Sequence, residues 1–276
     1  MYIMTMKQKF YEATKPVLDS RQSWYESAAK DPVFQGRGGV VYPYDTIAAN
    51  VDPMFQLFEK SGFIDIFEGG EIKTVCDVGC ANGELSYALA GAGLRTTAID
   101  FSYGRDQAPY LVASVARDMK FDLSVVDMSV DRHFDINDIQ KNQVYDAGVV
   151  PDDYFDLAIC FGLLYHLRNP FAFLESLAGV SKYVILGTHL FTHTPQLGVK
   201  LEHSPLAYLV EADELNYDPT NYWIFTEVAF HRLVRRCGFS ILGSLTLPNN
   251  PLGVAVPDRT DLGVRGFVML KADGLT

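Results

Sequence analysis

Long apolar runs are missing from this sequence. None approaches the ~20 residues that a membrane-spanning helix needs, and the opening stretch from Met1 to Lys9 lacks the apolar core of a signal peptide. The expectation is a cytoplasmic protein with no membrane partner. Basic residues are scarce: 23 Lys and Arg stand against 34 Asp and Glu, for a net charge of −11. Phosphate contacts need clustered Lys and Arg, so nucleic acid is disfavoured as a partner. The one basic cluster, His231, Arg232, Arg235 and Arg236, suits the solvated face of a helix ending at Gly238. Cysteine is sparse as well. Cys76, Cys80, Cys160 and Cys237 form no CxxC pair, and Cys76 and Cys160 fall in apolar, strand-like runs, as buried thiols do in a reducing compartment. His189, His193 and His203, with Glu202, Glu211 or Asp213, match no zinc spacing, so no metal is expected.

What is present is an ordinary globular composition, 48% hydrophobic over 276 residues, enough for a core without disulfides. Residues 1–70 read as a helical N-terminal extension, with a glycine-rich loop over 33–45 and a second helix from Pro53 to Phe63. Residues 71–276 read as an α/β domain. Seven strands are expected, over 72–78, 94–100, 121–126, 155–161, 183–189, 240–247 and 264–272. Helices are expected over 84–91, 107–118, 170–178 and 226–237. Strands alternating with helices argue for a Rossmann-like, mostly parallel sheet with helices on both faces and an antiparallel last strand. An irregular insertion over 190–222 interrupts the pattern; with the N-terminal extension it is expected to form a lid whose aromatics suit an apolar small substrate.

The strongest local signal is Val75-Cys76-Asp77-Val78-Gly79-Cys80-Ala81-Asn82-Gly83-Glu84. An apolar strand runs into a turn of small residues and then a helix, which lets backbone approach a ligand closely. The order D-x-G-x-A-x-G differs from the G-x-G-x-x-G of a dinucleotide turn, and there is no P-loop lysine. An acid at Asp77 suits a ligand with a cationic end, such as the amino group or sulfonium of S-adenosylmethionine (SAM). Asp100 ends the second strand 17 residues after Gly83, where a carboxylate can accept ribose hydroxyls. Phe101 and Ser102 follow at the same edge. Asp127 and Met128 end the third strand, suited to an adenine amino group and ring. After the fourth strand comes Phe161-Gly162-Leu163-Leu164-Tyr165-His166, at the carboxyl edge where open α/β sheets bind ligands. His166 is the candidate general base, with His189 in reserve.

This set of residues resembles the class I SAM-dependent methyltransferases over about residues 72–272. The stretch from Phe161 to Pro170, and Asn221-Tyr222-Trp223-Ile224-Phe225-Thr226, are similar to a narrower branch containing the tRNA wobble-uridine carboxymethyltransferases and their methyltransferase relatives. The resemblance implies that Gly79, Asp100, Ser102, Phe161 and Tyr165 line the cofactor; the motifs themselves add Asp77, Cys80, Ala81, Gly83, Phe101, Asp127 and Met128 as expected cofactor-binding residues. It also implies that Arg265 matches an arginine that contacts the cofactor's extra carboxylate in the carboxymethyl enzymes. Arg265, His189 and Trp223 are expected on the substrate side. The branch also uses tryptophan and lysine upstream of the turn; no tryptophan lies between Trp24 and Trp223, and the Gly36–Tyr44 loop offers no matching lysine. The expected function is methyl transfer from SAM to a hydroxyl of a small aromatic or apolar molecule. A tRNA wobble-uridine methyl- or carboxymethyltransferase, and a non-catalytic SAM-binding protein, are the alternatives; a homodimer is left open.

Overall fold

A computed structural model describes residues 4–28, 30, 46–103, 107–193, 200–201, 203–212, 214, 218–247 and 264–275. The expected 33–45 loop and the loop joining the last two strands lie outside the described residues. In chain order the strands are β1 (Thr74–Val78), β2 (Arg95–Asp100), β3 (Leu123–Asp127), β4 (Gln143–Tyr145), β5 (Phe155–Phe161), β6 (Ser181–Leu190), β7 (Ala207–Leu209), β8 (Trp223–Phe225), β9 (Phe239–Leu247) and β10 (Val264–Ala272). They form one sheet in the order β4-β3-β2-β1-β5-β6-β10-β9, with β8 attached to β6 and β7 to β8. The strands from β3 through β2, β1 and β5 to β6 are parallel. β10 inserts antiparallel between β6 and β9.

Seven of these ten described strands are the expected ones. The other three, β4, β7 and β8, have three residues each, too few for a period of two to show in the sequence. The central strands β1 and β5 are almost wholly buried, as strands covered on both faces must be.

The helices are α1 (Met6–Ala28), α2 (Thr46–Ser61), α3 (Phe63–Glu68), α4 (Glu84–Gly91), α5 (Ala108–Met119), α6 (Ile136–Lys141), α7 (Pro170–Val180) and α8 (Glu227–Arg236). Pro53 lies inside α2 rather than at its start, because Ile47, Ala49 and Val51 ahead of it are buried and hold the preceding turns against the core. The missed α6 carries a capping box: Asp135 accepts the Asp138 amide while the Asp138 side chain accepts the Asp135 amide.

Over the described residues the N-terminal helices pack as a layer of the fold. α1 packs on α4 and α5, and α2 on β9 and β10. Phe10, Val17, Phe55 and Phe58 share a core with Val75, Leu157, Ile185 and Phe267 of the sheet. Full burial of each such side chain contributes about 1.5–3 kcal/mol. Trp24 meets Tyr87 edge-on at 5.6 Å, and Tyr25 is buried, so these aromatics pack the protein rather than a substrate. The far end of α1 also reaches the glycine turn: Arg21 and Tyr25 donate to the buried Glu84 carboxylate at 3.1 and 3.2 Å. The end of the expected insertion meets the loop after β5. The Tyr222 amide donates to the Tyr165 carbonyl at 2.8 Å, docking β8 beside the loop that follows β5.

Candidate active site

The turn after β1 is held open by its backbone. Gly79 has φ 77° and Gly83 φ 80°, left-handed values that glycine adopts without strain. Ala81, between them, also sits left-handed at φ 48°. The amides of Gly79 and Cys80 donate to the Ile99 carbonyl at 2.8 and 3.2 Å, and that of Met128 to Asp100 at 2.8 Å. The ends of β1, β2 and β3 are therefore laced together. The buried side chains of Cys80 and Met128 face the core, so their part in the turn is carried by backbone.

Carboxylates complete the lacing. Asp100 accepts the Ala81 amide at 2.7 Å through one oxygen and the Phe101 amide at 2.7 Å through the other. Asp127 lies directly across from Asp100 in the parallel register and accepts the Ser102 amide at 2.9 Å. The Ser102 hydroxyl is buried with no partner among the described residues, and Phe101 is 47% exposed. The result is a shallow edge with two adjacent carboxylates, one orphaned hydroxyl and an exposed ring. Asp77 sits behind this edge. It is buried, accepts the Ser86 hydroxyl at 2.6 Å, and so anchors the first turn of α4. Burial pushes its carboxyl up to about 6, against an opposing pull from the Ser86 hydrogen bonds.

The loop after β5 joins the same edge. Leu163 covers the turn so closely that a Cβ on Gly79 would lie 3.2 Å from it. A single 3₁₀ turn, Leu164–His166, follows. It places Tyr165 between two imidazoles, each tilted relative to its ring, His166 at 4.4 Å and His189 at 4.6 Å between ring centres. Phe161 meets Phe267 edge-on. Nδ1 of His166 lies 3.2 Å from the Thr220 carbonyl, 2.9 Å from the Thr220 hydroxyl and 3.9 Å from Asp218. A carbonyl can only accept, so Nδ1 carries the proton and Nε2 keeps its lone pair. Burial lowers the His166 pKa; Asp218 and the Thr220 carbonyl oppose it, and the net direction is down. His189 is buried and held well below its ordinary value by burial, then by Arg265 and His166. Arg265, opening β10, faces His189 across the ladder.

Sequence reasoning placed His166 here and missed Asp218 and Thr220, whose only signal is the turn-forming Asp218-Pro219-Thr220. Trp223 borders this loop rather than projecting beyond it: its indole N–H donates to the Arg168 carbonyl at 3.4 Å, and its ring packs on the core under α7 and α8. No group of three or more metal-ligating side chains converges among the described residues. No helix among them is long and apolar enough to cross a membrane.

The profile of the methyltransferase domain matches residues 44–243. No curated protein sequence matches the chain. Among solved structures, the chain is similar to the N-terminal domain of EvdMO1 with S-adenosylhomocysteine (SAH) bound, at 16% identity and a TM-score of 0.51, covering 91% of this chain and 96% of that one. It is similar to the [4+2]-cyclase SpnF, at 14% identity and a TM-score of 0.53, over 99% and 98% of the two chains. It is also similar to a SAM-dependent methyltransferase from Clostridium acetobutylicum, at 13% identity and a TM-score of 0.50, over 83% and 95%. These likenesses reach the general fold and do not support the narrower tRNA wobble-uridine branch. The profile spans most of the sheet together with the turn, both carboxylates and His166, and on that ground this chain belongs to the methyltransferase domain family.

Proposed function

We propose that the chain is a SAM-dependent methyltransferase that modifies a hydroxyl of a small aromatic or apolar molecule. The observation that carries this reading is the close approach of Leu163 to Gly79, so tight that a Cβ there would lie 3.2 Å from Leu163; it joins the turn suited to a cofactor to the loop bearing His166. The turn fits SAM: Asp100 and Asp127 stand side by side to accept ribose hydroxyls and the adenine amino group, and the orphaned Ser102 hydroxyl adds a third polar contact. The EvdMO1 domain, similar in fold, was crystallised with SAH, which supports the same ligand here. Gly79, Ala81 and Gly83 would line the cofactor through backbone, with Phe101 and Met128 bordering its adenine and Phe161 and Tyr165 near its methyl end.

When bound, SAM supplies a methyl group on a sulfonium, already a good leaving group. The protein's task is then to position the acceptor and exclude water. Phe161 and Tyr165 offer an apolar wall for a ring, backed by the buried Phe267. His166, with Nδ1 pinned by Thr220, presents Nε2 to take the hydroxyl proton. Its lowered pKa keeps it unprotonated at neutral pH.

SpnF is described as a cyclase, so a shared fold does not by itself imply methyl transfer. The test is methyl transfer from labelled SAM to a panel of phenolic acceptors. His166→Ala is expected to lower kcat by about 10²–10⁴ while SAH still binds. Full turnover in that variant would remove His166 from its role, and SAH binding without transfer to any acceptor would favour a non-catalytic or cyclase-like protein.

A further inference from the structure

Arg265 is the only buried lysine or arginine among the described residues, with 3% of its surface exposed. No described residue gives it a hydrogen bond or an ion pair, and its Nε is orphaned. The face of Phe267 lies 5.8 Å away, and the Tyr165 phenol interacts favourably with the guanidinium. A further orphaned polar atom lies opposite on the same face of the neighbouring strand, the buried Nδ1 of His189. The guanidinium reaches toward the proposed reaction centre. A Cβ built on Gly162 would sit 3.4 Å from Nη2 of Arg265 and 3.3 Å from the Tyr165 hydroxyl, so both groups converge on the left-handed glycine that follows β5.

A guanidinium cannot shed its proton in a protein. Burying an unpaired charge is among the costliest arrangements a fold can hold. Arg265 also adds positive charge beside the place where a cationic sulfonium would lie. Both costs are offset if a ligand brings an anion. The site offers one cation and neighbouring hydrogen-bonding atoms that are uncharged, which balances a single negative charge and undercompensates a phosphate dianion. The rings of Phe161, Tyr165 and Phe267 around it favour an aromatic or apolar body.

We infer that Arg265 anchors a carboxylate carried by the methyl acceptor, with His189 hydrogen-bonding the same ligand, so that the substrate is an aromatic or apolar hydroxy acid. This rests on the methyltransferase reading for the acceptor's identity, but the anion site itself does not.

The experiment is thermal unfolding of the full chain, with and without SAH, titrated with benzoate, its neutral isostere benzamide, and acetate. Benzoate is expected to raise the Tm of the wild type at concentrations at least tenfold lower than benzamide does. Acetate, a free anion without the ring, is expected to act only at still higher concentration. In Arg265→Met the benzoate response is lost; in Arg265→Lys, which keeps the charge if the first variant does not fold, it is weakened and retained. Equal responses to benzoate and benzamide, no response to benzoate, or a full benzoate response in Arg265→Met would each overturn the inference. Acetate matching benzoate would assign the site to small free anions and likewise overturn an acceptor carboxylate. SAH binding is followed on the same samples: its absence would defeat the methyltransferase reading, while benzoate in the apo protein still decides the anion site.

Discussion

The carboxylate of Asp100 at the end of β2 accepts the backbone N–H of Ala81 at 2.7 Å, and Ala81 sits in the left-handed region at φ 48°. One side chain thus fixes the second strand's end to the strained midpoint of the turn after β1. A non-glycine residue pays about 1–2 kcal/mol for that conformation. Ala81→Gly is therefore expected to leave stability unchanged or raise it by up to about 1 kcal/mol, read by urea unfolding. A loss of more than that would mean that the methyl group of Ala81 makes packing contacts outweighing its backbone strain.

The flanking glycines behave in the opposite way. A Cβ on Gly83 would lie 2.9 Å from both the Tyr87 ring and Val112, at φ 80°. On Gly79 it would meet Leu163 at 3.2 Å, at φ 77°. Gly83→Ala is expected to lower stability by about 2–4 kcal/mol, from strain and overpacking together. Gly79→Ala is expected to cost less in stability and more in cofactor binding, because Leu163 belongs to a surface loop and can shift. Chemical denaturation and SAH titration of the pair separate the two effects.

Asp77 gives a pH signature. Its carboxyl is raised by burial from 3.8 to about 6, so the folded state binds a proton more tightly than the unfolded chain does. The charged form is thus a cost, fully present above about pH 6 and relieved as pH falls toward 4. The rise corresponds to roughly 3 kcal/mol. Asp77→Asn, which keeps an acceptor for Ser86, is expected to be more stable than wild type at pH 8 and to lose this advantage at pH 4. Unfolding free energies at both pH values check it; an Asn variant that is weaker at pH 8 would show that the charge is held there by favourable interactions.

His166 sets the rate profile. Burial lowers its pKa against the opposing Asp218 and Thr220, so the acidic limb of kcat is expected at lower pH than a free imidazole would give. Asp218→Asn removes a contribution that raises the His166 pKa, and the limb is expected to move to lower pH. Thr220→Val leaves the Thr220 carbonyl on Nδ1 and is expected to slow kcat by less than His166→Ala does. A limb unmoved by Asp218→Asn would place the rate-controlling ionisation elsewhere.

The seven long strands and the turn were legible because they carry repeated signals: apolar runs of five or more residues between helical segments, and glycines at fixed offsets. The carboxylates Asp100 and Asp127 were legible from their places at strand ends, and their register confirms that they are neighbours. The role of Asp77 was not, because burial behind the turn, rather than spacing, turns its carboxylate toward Ser86. The N-terminal helices were visible as helices, but a helix does not announce which surface it covers. Asp218 and Thr220 could not be tied to His166 from sequence, because the contact spans more than fifty residues and depends on the Tyr222–Tyr165 hydrogen bond that docks the insertion.

The central claim is a SAM site built on Asp100 and the Gly79–Gly83 turn, and calorimetric titration of SAH tests it most directly. The account predicts binding in the micromolar range, weakened at least tenfold in Asp100→Ala, a variant whose retained cooperative unfolding is checked in parallel. No SAH binding to the wild type, or equal affinity in a folded Asp100→Ala, would contradict it.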